Sequence, residues 1–518
     1  MATPNEKLAE SLELLKTLQE DGKIAIKSSR ISRTHRERLS KHGFLQEVLK
    51  GWYIPRRPEE QKGETTSWYM SYWTFCGEYL ADRYGSDYCL TAEQSLLLHT
   101  GNESVPQQLI VKSSTGSGRI TELLFNTSIL AMNSPLPQKA DVQELRGFFI
   151  TSLESSLVHC GPSFFRKNPI EARAALLMIR DSSDILQTLL EGGHTTIAGR
   201  LVGAFRNIGR DRIADDIIKT MKAADYQVRE TDPFQAASPI TFDRKERSPY
   251  VNRIKLLWHE LRPVVIEHFP VAPGIPDNKD QFLADIEEWY TTDAYHSLSI
   301  EKYTVTTDLI ERVRSGTWDI EGNEEDKKQR DTMAARGYWQ AFNAVKDSIS
   351  RILDGDNAGI VADEDHGDWY RELFAPSVTV GLLQPADLAG YRNGQVYIGN
   401  SMHTPINKEA VRDVMPVLFE LIEQEEHAGV RAVLGHFIFV YIHPYMDGNG
   451  RMGRFLMNTL LASGGYPWTV IPVEERSQYM DALEQASVHQ NIEHFTKFIT
   501  WLVAAGMEGT PVAKKMES

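Results

Sequence analysis

The hydrophobic pattern changes character near residue 250. Upstream, helical and strand periods alternate; downstream, apolar residues recur at helical spacing nearly to the end. The stretch from Leu8 to about Pro58 predicts helix, turn, helix and a short strand pair. Ser32 is placed to cap Arg33-Thr-His-Arg-Glu-Arg-Leu39, Gly43 stops that helix, and Lys50-Gly51 is a hairpin tip within Phe44–Ile54. From Ser67 to Phe234 the pattern predicts strands at Leu109–Lys112 and Leu123–Phe125, and amphipathic helices at Ala172–Leu190 and Thr196–Ala224. Glu230–Pro249 is polar, contains Pro233 and Pro239, and is the predicted linker. The helical half is expected to be interrupted near Gly355–Gly367 and by a short strand pair around Gln395–Ile398. The fold class is therefore multidomain. Residues 1–60 are a winged helix-turn-helix, 61–235 a mixed α+β extension, 236–250 the linker and 251–510 a mainly α-helical region.

The chemistry concentrates in one place. Ala432–Ile442 predicts a buried helix that stops before Pro444, since the residue preceding proline is pushed away from helical geometry. His443 stands at that end, Asp447-Gly-Asn-Gly450 follows, and a second helix is expected from near Arg451 to Leu461. A glycine-rich turn opening into a helix aims free amides and the positive end of the helix dipole at one spot, which suits phosphate. Arg451 and Arg454 lie within the first turn, where both guanidinium groups can reach an anion. Asp447 offers a hard oxygen to Mg2+, which takes one or two carboxylates plus phosphates. An unperturbed histidine titrates near pH 6.5, so His443 can accept a proton from an incoming hydroxyl.

Composition adds limits. The 518 residues are 41% hydrophobic and 25% charged, ordinary for a water-soluble protein. Cys76, Cys89 and Cys160 have neither CxxC spacing nor histidine partners, which favours a reducing compartment. The first residues lack an export signal, and the longest apolar run, Val433–Ile442, is far shorter than the roughly 20 residues of a spanning helix. A cytoplasmic location without membrane contact is the expectation. The net charge of −15 argues against coating nucleic acid, yet Lys23–Arg57 holds ten Lys or Arg against two acids. Arg30, Arg33, Arg36 and Arg38 are the candidate phosphate contacts if this module binds DNA.

His443-Pro-Tyr-Met-Asp-Gly-Asn-Gly-Arg-Met-Gly-Arg454 resembles the signature of the Fic family, with Tyr445 in place of its Phe. The resemblance implies a protein adenylyltransferase that moves AMP from ATP to a Ser, Thr or Tyr hydroxyl of a target protein, auto-modification included. By it His443 is the general base and Asp447 holds Mg2+. Gly448, Asn449, Gly450, Arg451, Met452 and Gly453 surround the phosphates, and Arg454 contacts the distal one. Residues 390–405, with Asn393-Gly394 as a turn, resemble the family's β-hairpin flap, which implies that Ile398, Gly399, Asn400 and Ser401 lie along the nucleotide. Tyr479 would line the adenine pocket, or serve as helix packing.

Tyr295–Thr306 resembles the family's inhibitory segment, with Ser297 and Glu301 in place and Lys302 where Gly or Asn is usual (residues 297–302). Glu301 would then neutralise Arg454. Thr317-Trp-Asp-Ile-Glu-Gly322 fits the short pattern too, although acids crowd Glu321. Ala25–Arg33 and Gly51–Ile54 resemble the winged helix of AbiEi-type antitoxins. Two other readings stay open: a Fic enzyme using another donor or removing AMP, and a DNA-binding regulator with a nucleotide-sensing second half. A homo-oligomer also stays open.

Overall fold

The computed structural model describes residues 3–20, 24–60, 63–238, 248–315 and 330–516. The chain divides into two compact units, one of residues 1–249 with 397–404, the other of 250–396 with 405–518.

The first unit begins with helix Pro4–Glu20, strand Ile26–Lys27, helix Arg33–Lys41 and strands Leu45–Leu49 and Trp52–Pro55. The last strand lies between the other two in an antiparallel sheet, with Tyr53 opposite Ile26 and Ile54 opposite Gln46. Ser32 caps the second helix as expected, its hydroxyl accepting from His35 N at 3.3 Å. Leu15, Ile26, Ile31, Leu39 and Leu45 form the core beneath.

Next comes a four-stranded sheet in the spatial order Cys89–Leu90, Gln108–Ser113, Ser128–Asn133, Ile120–Glu122, its middle pair parallel. The strand expected at Leu123–Phe125 is absent. Phe125 and Asn126 have φ of 49° and 59°, so this segment turns the chain back into Ser128–Asn133.

Both long helices expected farther on are broken. Ala172–Leu190 is two helices, Pro169–Met178 and Ser183–Glu191, because Asp181 takes the amide of Ser183 and offers the backbone an alternative to the helix. Thr196–Ala224 is likewise Thr195–Asn207 and Asp211–Ala223, separated at Gly209 with φ 72°.

The regular structure of the second unit is all helical among its described residues, with loops between the helices. The interruption expected at Gly355–Gly367 is confined to 354–357. Asn357 caps a helix already under way at Ala358 and running to Thr379, its side chain accepting from Gly359 N at 2.8 Å. That helix crosses Arg330–Leu353 at Gly337, where a Cβ would lie 2.0 Å from the Leu373 carbonyl oxygen. No strand forms at Gln395–Ile398.

Candidate active site

Helix Ala428–Ile442 is buried nearly all round and packs along helix Asn449–Ala462. His443 closes the first helix with φ 55° and ψ 61°. Pro444 bars it from right-handed helical geometry, so the chain turns here. His443 Nδ1 lies 3.2 Å from the Val440 carbonyl. Only a protonated Nδ1 can donate there, which leaves the lone pair on Nε2. Burial pushes the His443 pKa down to about 4, assisted by Arg392 and opposed by the Val440 carbonyl, Glu301 and Asp447. At neutral pH the ring is an uncharged base.

In the following loop, Tyr445 is buried and stacks on Tyr370 with centroids 3.9 Å apart. Asn449 holds the loop shut: its side chain accepts from Tyr445 N and donates to Tyr445 O, both at 2.9 Å. That side chain braces the loop backbone. Gly448, at φ 81°, precedes the second helix, which starts at Asn449, two residues before the expected Arg451. A Cβ on Gly448 would come within 2.7 Å of the Phe374 ring. No side chain caps the helix, so its first amides face outward at the positive end of the dipole. Met452 N already bonds Gly448 O at 2.9 Å, and the Gly453 carbonyl accepts from His436 Nδ1 at 2.7 Å.

The two arginines differ. Arg451 is buried with its guanidinium about 5 Å from the rings of Tyr303 and Phe374. Arg454 is buried too. Its Nε donates to Ser297 Oγ at 2.8 Å, and its Nη2 to Ser297 O at 3.0 Å and Glu301 Oε1 at 2.9 Å. Burial alone would lower the Arg454 pKa, but Glu301, Tyr479 and Tyr338 outweigh it and raise it. Arg451 Nε and Arg454 Nη1 are buried donors without a hydrogen-bond partner among the described residues. Glu301 Oε1 occupies the spot 2.2 Å from where a Cβ on Gly450 would stand. A carboxylate thus already sits over the helix end that the sequence reserves for phosphate.

Asp447 extends into solvent, its side chain 67% exposed, with Oδ1 accepting from Gly448 N at 2.7 Å and Oδ2 3.7 Å from Arg451 Nη2. Among the described residues no group of three or more His, Cys, Asp or Glu could hold a metal by itself. An exposed carboxylate 3.7 Å from Arg451, whose buried Nε is unsatisfied among the described residues, fits a magnesium shared with phosphates.

Three positions escaped the sequence reading. Asp293 lies one turn before Ser297, which lies one turn before Glu301, so the three share a face of helix Tyr290–Ile300 and its cap. Asp293 is fully buried, accepts from Tyr338 Oη at 2.6 Å, and feels the Arg454 charge. Burial pushes its pKa up to about 6. His436 donates from Nδ1 to Gly453 O and accepts from Tyr479 Oη at 2.7 Å, with its pKa pushed down to about 3 by burial. Tyr479 is buried, tied to His436, with the rings of Phe495 and Phe498 tilted against it.

Arg392, the third, is buried and donates from Nε to His443 O at 2.8 Å, from Nη1 to Gly394 O at 3.0 Å and from Nη2 to Ile406 O. These contacts replace the expected hairpin. Of the three carbonyls Arg392 holds, that of Gly394 lies at the expected turn. Ile398, Gly399, Asn400 and Ser401 belong to the first unit. There Asn400, at φ 60°, accepts through Oδ1 from Thr65 N at 3.0 Å, and Met402 O accepts from Val105 N at 2.8 Å.

Of the arginines proposed for DNA, Arg33 pairs with Glu37 at 2.6 Å, Arg36 covers the Tyr53 ring, and Arg38 donates to Ser11 Oγ at 2.8 Å. Arg30 is exposed. The alternative inhibitory residue Glu321 lies outside the described residues. Among the described residues no helix is long and apolar enough to cross a membrane.

Residues 365–461 match the family model described as Fic/DOC family. The chain is 30% identical over 217 residues to Protein adenylyltransferase Fic of Drosophila grimshawi, covering 41% of each chain. It is also 30% identical over 217 residues to the protein of the same name from Drosophila mojavensis, covering 41% of this chain and 39% of that one. It thus spans about two fifths of the length of these relatives. Among solved structures, Fic-1 (aa134–508) from C. elegans aligns over 63% of this chain and 91% of its own, at 17% identity and a TM-score of 0.38. A Fic family protein from Desulfovibrio desulfuricans G20 aligns over 49% and 73%, at 22% identity and a TM-score of 0.34.

Proposed function

We propose, from the Fic/DOC-family domain at residues 365–461, that this chain is a protein adenylyltransferase held back by its own Glu301. The observation that carries the reading is Arg454, a buried guanidinium with one donor on Glu301 and another, Nη1, left unpartnered at a helix N-terminus. Such an arginine suits the distal phosphate of ATP, and the Glu301 carboxylate competes for the same place.

In the proposed reaction a Ser, Thr or Tyr hydroxyl of the target attacks the α-phosphorus of ATP. The new O–P bond forms as the bond to the bridging oxygen breaks, pyrophosphate departs, and the hydroxyl proton passes to His443 Nε2. The helix amides at Asn449–Arg451 and the two arginines hold the phosphates in line, which supplies most of what such a transfer requires. Asp447 would hold magnesium, which neutralises phosphate charge when bound.

His443→Ala should lower transfer from ATP labelled at the α-phosphate by about 10²-fold or more, with the circular dichroism spectrum unchanged. Undiminished labelling in that variant would sink the assignment. Mass spectrometry of the adduct separates AMP from phosphate and decides between ATP-derived AMP and another donated group.

A further inference from the structure

We propose that the first unit carries a second ligand site, a groove of about 580 Å³ that takes a small phosphorylated ligand bearing a planar ring, of nucleotide size. The groove lies beside the start of helix Thr195–Asn207, far along the chain from the Fic/DOC-family residues. Arg166, Arg200 and Arg229 line it against a single carboxylate, Asp232.

The charge pattern is selective. One helical turn and a half beyond Arg200, Arg206 gathers three carboxylates, those of Asp211, Asp215 and Glu230. Arg212 faces Asp216 at 3.9 Å. Among the described residues Arg166, Arg200 and Arg229 form no ion pair, in a chain of net charge −15 where acids are plentiful. The acid in the groove is spent: Asp232 accepts from Asn207 Nδ2 and Phe234 N, each at 2.9 Å. The neighbouring Glu93 accepts from Gly161 N at 2.8 Å.

Arg200 is built in place. Its Nη2 donates to Cys160 O at 2.9 Å, its guanidinium lies over Phe165 at 5.5 Å, and its Nε is a buried donor with no partner among the described residues. Holding a guanidinium still before the anion arrives reduces the entropy lost on binding. Thr195 and Thr196 add hydroxyls at a helix start that no side chain caps.

The opposite wall is equally fixed. Segment 227–233 lies directly on the helix because residues 199 and 203 are glycines; a Cβ there would stand 2.0 Å from Arg229 O and 2.4 Å from Thr231 O. Phe234 gives this wall an aromatic lining and is fixed there, edged by Phe165 and covered by Arg173 at 4.4 Å. Forked donors, a helix start and an aromatic wall together favour phosphate plus ring over a bare anion.

Site-resolved hydrogen exchange on the full chain, titrated with AMP and separately with inorganic pyrophosphate, tests this apart from any binding at His443–Arg454. AMP should slow exchange in peptides spanning 193–200. Arg200→Met and the double variant Arg166→Ser/Arg229→Ser should raise half-saturation tenfold or more, while Arg212→Ser, an exposed arginine outside the groove, leaves it unchanged. No slowing with AMP at about 10 mM, or equal half-saturation in wild type and Arg200→Met, would overturn the site. Equal half-saturation by pyrophosphate and AMP would overturn the assignment to a ring-bearing ligand.

Discussion

Lys302 follows the last turn of helix Tyr290–Ile300 with φ 65°. Tyr303 N bonds Leu298 O at 3.1 Å and Lys302 N bonds Ser299 O at 3.0 Å, a helix end that normally takes glycine. A side chain in left-handed geometry costs about 1 kcal/mol, and this cost falls on the residue next to Glu301. Lys302→Gly should therefore hold Glu301 against Arg454 more firmly and lower basal AMP transfer about fivefold, roughly 1 kcal/mol. A rise would show that the lysine itself takes part in restraint. Glu301→Gly should act oppositely, raising auto-modification at least tenfold by intact mass, since it frees Arg454 while Ser297 and Asp293 keep that guanidinium in place. Ser297 and Glu301 were legible because a short residue pattern names them. Asp293 was not, because nothing in a sequence shows that its face of the helix is buried against Tyr338 and Arg454.

At the scale of elements, the helices flanking His443 were readable from an apolar run, a proline and two glycines. The boundary error of two residues at Asn449 arises because glycine carries no cap signal. The strand pair expected around Gln395–Ile398 is missing for a different reason. Asn393-Gly394 is a sound hairpin turn by local rules, but Arg392 reaches the carbonyls of Gly394, Ile406 and His443, and the next backbone partners lie near Thr65 and Val105. Long-range competition of this kind leaves no local trace. In the proposed reaction Arg392 positions His443 through the backbone, its Nε holding the His443 carbonyl. Burial, opposed by the Glu409 charge, lowers the Arg392 pKa to about 10, so the side chain remains charged at neutral pH. Arg392→Lys keeps the charge and loses the fork that spans three carbonyls. Its kcat should fall tenfold or more with KM for ATP little changed, since the base is displaced and the phosphate site is not. Loss confined to KM would refute the role.

At the scale of the molecule, the second unit stores opposing proton linkages around one helix pair. His443 and His436 have pKa values pushed down to about 4 and about 3, so the folded chain leaves them neutral where the unfolded chain protonates them. Their contribution to stability is fully present above pH of about 6.5 and is lost as pH falls through that value toward the folded ones. Asp293 runs the other way. Its folded pKa of about 6 exceeds the unfolded value, so its contribution is present below pH of about 4 and is lost as pH rises through 6. Stability measured by urea unfolding at successive pH values separates the two. His436→Gln should flatten the rise of stability between pH 4 and 6.5 by up to about 1.4 kcal/mol per pH unit. Asp293→Asn should steepen it between about pH 4 and 6 by a similar amount, because the opposing proton is gone. If both substitutions shift the curve without changing its slope, His436 and Asp293 titrate alike in the folded and unfolded chain, and the opposing linkages are absent.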